Sequence, residues 1–356
     1  MNELHGGDIT GYRLRYGREP LDFSASLNPL GMPEGVKQAA VSAVADAAPY
    51  PDPHARALTA ALAAKLAVKP EHIILGNGSA DLIYRWARAA KPQRALLTAP
   101  AFAEYERALR AAGCAVSFHS LNKEQSFDLD ESVLAEITPG VDALFLCQPN
   151  NPTGRLIAPE LLNSILDACR RAGTRLFLDE CFVPFVAGAK TVSRTPRLAE
   201  YPELFILGSF TKLYAMAGLR LGFGLSADTA LLGEIALAGQ PWGVSTVAQV
   251  AGVAALAEDD YLCRSLVVIE TEKAWLTQAL AGLGICVIGG AANYLFFASK
   301  HPALGDALAR AGIMIRECAG FRGLETGHYR IAVRTRAENA QLIEAMREIL
   351  FNQTDQ

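Results

Sequence analysis

Ser209-Phe210-Thr211-Lys212-Leu213-Tyr214-Ala215-Met216-Ala217-Gly218-Leu219-Arg220-Leu221-Gly222 is the stretch whose reading decides the fold. Its Lys212 lies between two short apolar runs, 204–210 and 220–226. Continuous apolar runs of this length predict strands buried on both faces. Lys212 therefore comes after a buried strand, and strand ends are where α/β sheets place their ligands. Ser209 and Thr211 flank it, and Arg220 comes eight residues on. An amine beside two hydroxyls and a guanidinium fits a lysine that forms a Schiff base next to a phosphate clamp. Desolvation and a neighbouring cation would bring its pKa toward working pH. Taken alone, a lysine here reads equally as a solvated surface residue.

Outward from this stretch, five more runs predict strands: 72–77, 94–100, 115–121, 142–149 and 175–181. Between them, 81–90, 103–112 and 159–172 carry apolar residues at helical spacing, with Gly113 and Gly173 where C-caps belong. Alternation of this kind predicts an α/β domain with a largely parallel sheet. Beyond residue 228 the pattern changes. Helices are expected at 230–238, 246–257 and 261–283, strands at 286–288, 294–298, 313–317 and 328–333, and a last helix from Ala337. This tail reads as a smaller α+β domain. The first 40-odd residues show few core signals, and the turn-rich Asn28-Pro29-Leu30-Gly31 marks them as an arm.

The chain has 356 residues, enough for about two domains. A 51% hydrophobic content excludes a disordered chain, and a net charge of -4 argues against a basic nucleic-acid binder. The longest apolar candidate, 243–257, is interrupted by Ser245, Thr246 and Gln249 and falls short of a membrane span. No secretory signal opens the sequence, so a cytoplasmic location is expected. The seven cysteines show no C-x-x-C spacing and are read as buried, reduced thiols, with no metal site expected.

Three further stretches carry chemistry. Asp179-Glu180-Cys181-Phe182 ends a buried run, and a carboxylate there needs a partner. A pyridinium N–H is one such partner, and a cap on the next turn is another. Asn150-Asn151-Pro152-Thr153-Gly154 marks a tight turn whose Asn side chain could donate to a phenolate oxygen. Gly76-Asn77-Gly78-Ser79-Ala80-Asp81 joins a strand to a helix and offers free amides to an anion. It matches neither the dinucleotide fingerprint nor the P-loop.

In this order, the four stretches resemble the fold-type I pyridoxal-phosphate enzymes of the aminotransferase class, across almost the whole chain. The resemblance implies a large domain with a mostly parallel seven-stranded sheet over 46–262, a small domain over 263–356, and an arm over 1–45 that joins the small domain. It implies pyridoxal 5'-phosphate as cofactor. Lys212 would then be the Schiff-base and proton-shuttling lysine, Asp179 the pyridine-nitrogen partner, and Asn151 the donor to the ring 3′-oxygen. Ser209, Thr211 and Arg220, with the amides of Gly78 and Ser79, would hold the phosphate. Phe102, in Pro100-Ala101-Phe102-Ala103-Glu104-Tyr105, would stack on the ring. Tyr50 would reach the cofactor phosphate of a neighbouring subunit, which implies a homodimer with shared active sites.

The narrower resemblance is to the threonine-phosphate decarboxylases of cobalamin biosynthesis, relatives of the histidinol-phosphate aminotransferases. It rests on His5-Gly6-Gly7, on 22–31, on Ile315-Arg316-Glu317-Cys318 and on 329–335. Where those aminotransferases usually carry a tyrosine, three residues after the Asp, this chain has Phe182. The resemblance implies decarboxylation of L-threonine O-3-phosphate to (R)-1-amino-2-propanol O-phosphate, with transamination as the alternative. Arg330 would pair with the α-carboxylate, and Arg316 and His5, with backbone near Asn28, would meet the phosphate. Arg322 and Arg334 are further cations to which the sequence gives no role. Neither nucleic acid nor membrane is an expected partner.

Overall fold

The computed structural model describes residues 5–301 and 303–351. The ends of the expected arm (1–4) and of the expected small domain (352–356) lie outside the described residues. Thirteen strands are described: β1 Leu21–Asp22, β2 Ile73–Gly76, β3 Arg94–Ala99, β4 Ala115–Ser120, β5 Ala143–Cys147, β6 Arg175–Asp179, β7 Leu204–Ser209, β8 Gly222–Ser226, β9 Val287–Gly289, β10 Tyr294–Ala298, β11 Ile313–Met314, β12 Arg316–Glu317 and β13 His328–Ala332. The helices are α1 Ile9–Tyr16, α2 Glu34–Ala43, α3 Arg56–Leu66, α4 Ser79–Ala90, α5 Ala103–Ala111, α6 Pro159–Ala172, α7 Ala189–Val192, α8 Phe210–Leu213, α9 Thr229–Leu237, α10 Thr246–Leu256, α11 Asp259–Gly282, α12 Leu304–Arg310 and α13 Arg336–Phe351.

The seven expected strands form one sheet in the order β2-β8-β7-β6-β5-β3-β4. Only β8 runs against its neighbours in this sheet. The central parallel strands β5, β6 and β7 are buried on both faces because helices cover both, whereas the edge strand β4 is mostly exposed or half-buried. On one face Phe145, Phe177 and Phe205 sit side by side in register across β5, β6 and β7. Their rings stack at 4.5 and 5.1 Å, and Trp86 of α4 meets two of them edge-on. On the other face Leu144, Leu176 and Leu204 pack against Leu162 and Ile165 of α6. Side-chain alternation puts these two sets on opposite faces. Gly173 closes α6 at φ 72, in the left-handed conformation a C-cap needs.

A second, antiparallel sheet has the order β12-β13-β10-β9 and packs on α11 and α13 around Phe297, Ile331 and Leu342. Two expectations need correction. The run 313–317 is not one strand: Ile313–Met314 pairs in parallel with β1, and Arg316–Glu317 pairs with β13. The chain changes partner at Ile315, which hydropathy does not register. The first 40-odd residues are also richer in structure than expected. They hold α1, β1 and α2, with Phe23 and Val36 fully buried. The alanine-rich face Val36-Ala40-Ala43 gives a weak periodic signal but still packs. Helix α3 is likewise not among the expected elements. No described helix is long and apolar enough to cross a membrane. All seven cysteines are unpaired, but Cys263 and Cys286 are exposed rather than buried.

Candidate active site

Strands β5, β6 and β7 end side by side, so the segments leaving their carboxyl ends meet at one edge of the sheet. Asp179 is the last residue of β6, Ser209 the last of β7, and Asn151 lies just past β5. A cavity of about 370 Å³ opens there, a volume typical of small-molecule sites. Its walls bring together Lys212, Asp179, Asn151, Ser79, Phe102, Ser209, Thr211 and Arg220 from the large sheet. His5, Arg316 and Arg330 come to the same cavity from the N-terminal segment and the small sheet.

Lys212 sits in the short helix α8 directly after β7. Burial pushes the pKa of its ammonium down to about 8, helped by the Arg330 charge and, more weakly, by Arg220. Asp179 is buried, and burial raises its pKa. That rise is opposed by the Tyr105 hydroxyl, which donates to Oδ2 at 2.5 Å, and by the Cys181 amide, which donates to Oδ1 at 2.9 Å. Tyr105 is fully buried, and its own pKa is driven well up by burial and by the Asp179 charge, so it stays a donor. Sequence reasoning gives Tyr105 no role. The available signal is its place three residues beyond Phe102, one helical turn on.

The phosphate-sized cup is built from close approaches. A Cβ on Gly78 would strike the Arg220 guanidinium, and one on Gly222 would strike the Ser79 amide. Gly78 has φ +81 and caps α4 without a side chain, so the first amides of that helix face outward unpaired by a cap. Ser209 and Thr211 share a hydroxyl hydrogen bond of 2.7 Å beside it. Two hydroxyls, a guanidinium and a helix N-terminus suit a dianionic phosphate. A deep amine and a buried carboxylate suit an aldehyde and a ring nitrogen. The residues present therefore fit pyridoxal 5'-phosphate.

At the other end, Arg330 donates through Nη1 to Asn151 Oδ1 at 2.6 Å and through Nη2 to the Ser24 carbonyl at 3.0 Å. Its Nε is buried without a partner. Arg316 is also buried, with its guanidinium 5.4 Å from the Phe321 ring centre. Phe182 stands where a tyrosine would bring a hydroxyl, edge-on to Tyr294 at 5.0 Å. Glu104, which sequence reasoning misses, also lines the cavity and accepts from His5 Nε2 at 2.9 Å.

Three expected site residues do not line this cavity: Gly78, which abuts Arg220 of its wall, Asn28 and Tyr50. Asn28 is 4% exposed, and its Nδ2 donates to the Leu213 carbonyl and to Ser265 Oγ, while its Oδ1 accepts from the Leu30 amide. Its own amide donates to the Lys212 carbonyl, so it braces the backbone behind the lysine. Tyr50 is 78% exposed and stacks on Trp242 at 4.5 Å, away from the cavity of its own chain. The two unassigned arginines are structural. Arg322 pairs with Glu106 at 2.8 Å over the Phe118 ring. Arg334 pairs with Glu338 and donates to the Asp22 carbonyl.

A mostly parallel sheet with a lysine, a buried carboxylate and a phosphate-sized cup at one edge defines a fold-type I pyridoxal-phosphate enzyme. The chain belongs to the class I and II aminotransferase family, whose model matches residues 18–346. It is 37% identical to the threonine-phosphate decarboxylase of Salmonella typhimurium, over 98% of this chain and 97% of that one. It is 31% identical to a histidinol-phosphate aminotransferase of Methylobacillus flagellatus, over 98% and 95%. Among solved structures, the L-threonine-O-3-phosphate decarboxylase from Porphyromonas gingivalis superposes with a TM-score of 0.82 at 26% identity, covering 92% of this chain and 99% of that one.

Proposed function

We propose that this chain decarboxylates L-threonine O-3-phosphate to (R)-1-amino-2-propanol O-phosphate and CO2 in cobalamin biosynthesis, with pyridoxal 5'-phosphate as its cofactor. The observation that carries the reading is the convergence of Arg330, Arg316 and His5 on the cavity beyond the cup. A substrate with a carboxylate and a phosphate then has a cation for each. The likeness to a threonine-phosphate decarboxylase over nearly the full chain supports the choice of substrate.

Bound pyridoxal phosphate supplies the electron sink that receives the pair released when the Cα–carboxylate bond breaks. Lys212 holds the cofactor aldehyde, and the cup of Gly78, Ser79, Ser209, Thr211 and Arg220 holds its phosphate. Asp179 would keep the ring nitrogen protonated, and the Tyr105 hydroxyl, donating to Asp179, favours its charged form against burial. Phe102 would pack on the ring, and Asn151 would donate to its 3′-oxygen. Arg330 offers its unpaired Nε–H to the α-carboxylate, and Arg316 and His5 hold the distal phosphate. Lys212 Nζ then returns a proton to Cα. Phe182 brings no hydroxyl to the ring oxygen.

The chain is read further as a cytoplasmic homodimer with shared sites, in which Tyr50 of each subunit reaches its neighbour's cofactor phosphate. Its exposure and its stacking on Trp242 support that reading. The joining of the 1–45 arm to the small domain over 263–356 is supported by β1, which pairs with β11; the expected boundary between 46–262 and 263–356 falls inside α11.

The test is to supply purified protein with pyridoxal phosphate and L-threonine O-3-phosphate, without a keto acid, and follow CO2. The expected result is CO2 and aminopropanol phosphate in equal amounts. No CO2, with 2-oxoglutarate-dependent turnover of histidinol phosphate instead, would replace the reading by an aminotransferase.

A further inference from the structure

Two carboxylates line the cavity, Asp179 and Glu104, and the chemistry above uses only the first. We propose that Glu104 is a positioning residue: it fastens the His5 imidazole across the cavity mouth so that the ring meets the substrate's distal phosphate. This rests on the reading of His5 as a phosphate partner.

Glu104 lies in the first turn of α5, and its side chain is 8% exposed. A carboxylate in a cavity meant for anions repels them unless protein donors occupy it. Here they do. Oε2 accepts from the Tyr84 hydroxyl at 2.6 Å, and Oε1 accepts from Arg107 Nη1 and His5 Nε2, both at 2.9 Å. Burial alone would raise this carboxyl, but the Tyr84 and Arg107 bonds and the Arg107 and His5 charges together hold it below its ordinary value. Tyr84 belongs to α4 and Arg107 to α5, so two helices on the large sheet fix the carboxylate.

His5 arrives from the opposite side. The Gly7 amide donates to Ser24 Oγ at 2.8 Å, and Ser24 Oγ donates to Asp22 Oδ1 at 2.6 Å, at the end of β1. The His5–Glu104 bond is thus where the N-terminal segment is fastened to α5 over the site. The imidazole also leans on Phe102, with ring centres 5.7 Å apart. With Nε2 committed to Glu104, Nδ1 is the nitrogen left for a ligand. An imidazolium donates through both nitrogens, here one of them to Glu104. An anion at Nδ1 is then met by a charge-assisted donor held in a fixed orientation.

The experiment compares the wild-type holoenzyme with Glu104→Gln, His5→Ala and the double variant, using L-threonine O-3-phosphate. Gln keeps the size of the side chain and an acceptor for Tyr84. Cofactor affinity is read from visible absorbance, folding from Tm, and KM and kcat from CO2 release. The expected result is a KM raised roughly tenfold in each single variant, since a lost charge-assisted bond has that effect, with cofactor affinity within about twofold. The double variant is expected to match His5→Ala alone, because Glu104 acts through His5. A KM within about twofold of wild type in Glu104→Gln, effects that multiply in the double variant, or a parallel fall in cofactor affinity would each overturn the proposal. Wild-type protein that neither binds nor decarboxylates the substrate would remove the substrate reading and this inference with it; wild-type turnover with a KM unmoved by the substitutions removes the inference alone.

Discussion

The cofactor end of the cavity rests on the carboxyl ends of β5, β6 and β7, whereas the substrate end is assembled from chain segments far apart in sequence. At the first end, Asp179, Ser209 and Lys212 end or succeed strands that are packed on both faces and aligned by a row of stacked phenylalanines. At the second end, His5, Glu104, Arg316 and Arg330 come from the N-terminal segment, α5, β12 and β13; a hydrogen bond joins His5 to Glu104, and Arg330 is held by Asn151 and Ser24. The sheet fixes the first set through the backbone. The second set is fixed through partners such as Asn151, Ser24 and Tyr84, so its geometry depends on how the small sheet and the N-terminal segment sit. The generic chemistry is built rigidly, and the choice of substrate is built from adjustable pieces.

Four substitutions separate the two ends. Lys212→Ala should abolish turnover, by roughly ten-thousandfold or more, while cofactor phosphate is still retained by the cup. Surviving CO2 release would break the assignment of the cofactor end. Arg330→Lys should raise KM roughly ten- to a hundredfold, because an ammonium cannot serve Asn151, Ser24 and a carboxylate together. An unchanged KM would move the carboxylate elsewhere. Tyr105→Phe should lower kcat by roughly tenfold and leave KM nearly unmoved. Tyr105 lowers the pKa of Asp179, so its removal raises that pKa. The acid limb of the kcat profile should therefore begin at higher pH in the variant, and a limb that stays in place would refute the coupling. Asn28→Ala should cost about 1–3 kcal/mol of stability by denaturant melting, with KM within about twofold, since Asn28 braces Leu213 and Ser265 rather than substrate.

The difference between the ends also explains how much of each is legible in the sequence. The strands of the large sheet can be read because each is a short apolar run, and the central parallel ones, β3, β5, β6 and β7, are apolar on both faces. Their ends then locate Asp179 and Lys212 directly. The small sheet is harder. The neighbouring two-residue strands β11 and β12 go to different sheets, chosen by partners, β1 and β13, that no local pattern reveals. Helix α2 escapes because alanines carry much of its buried face. At the substrate end, Arg316 and Arg330 are located by resemblance rather than by pattern. Glu104 gives no signal, since a glutamate in the first turn of a helix ordinarily faces solvent. Asn28 is placed near the substrate phosphate by the resemblance, through its backbone; its side chain lies buried against α8 and α11.

The central claim concerns which bond at Cα breaks, and turnover of L-threonine O-3-phosphate in D2O tests it most directly. Without any keto acid, the expected product is aminopropanol phosphate with a single deuterium on the carbon that lost the carboxylate, formed in step with CO2. Recovery of substrate that keeps its carboxylate but has exchanged its Cα hydrogen, or formation of a keto acid, would contradict it.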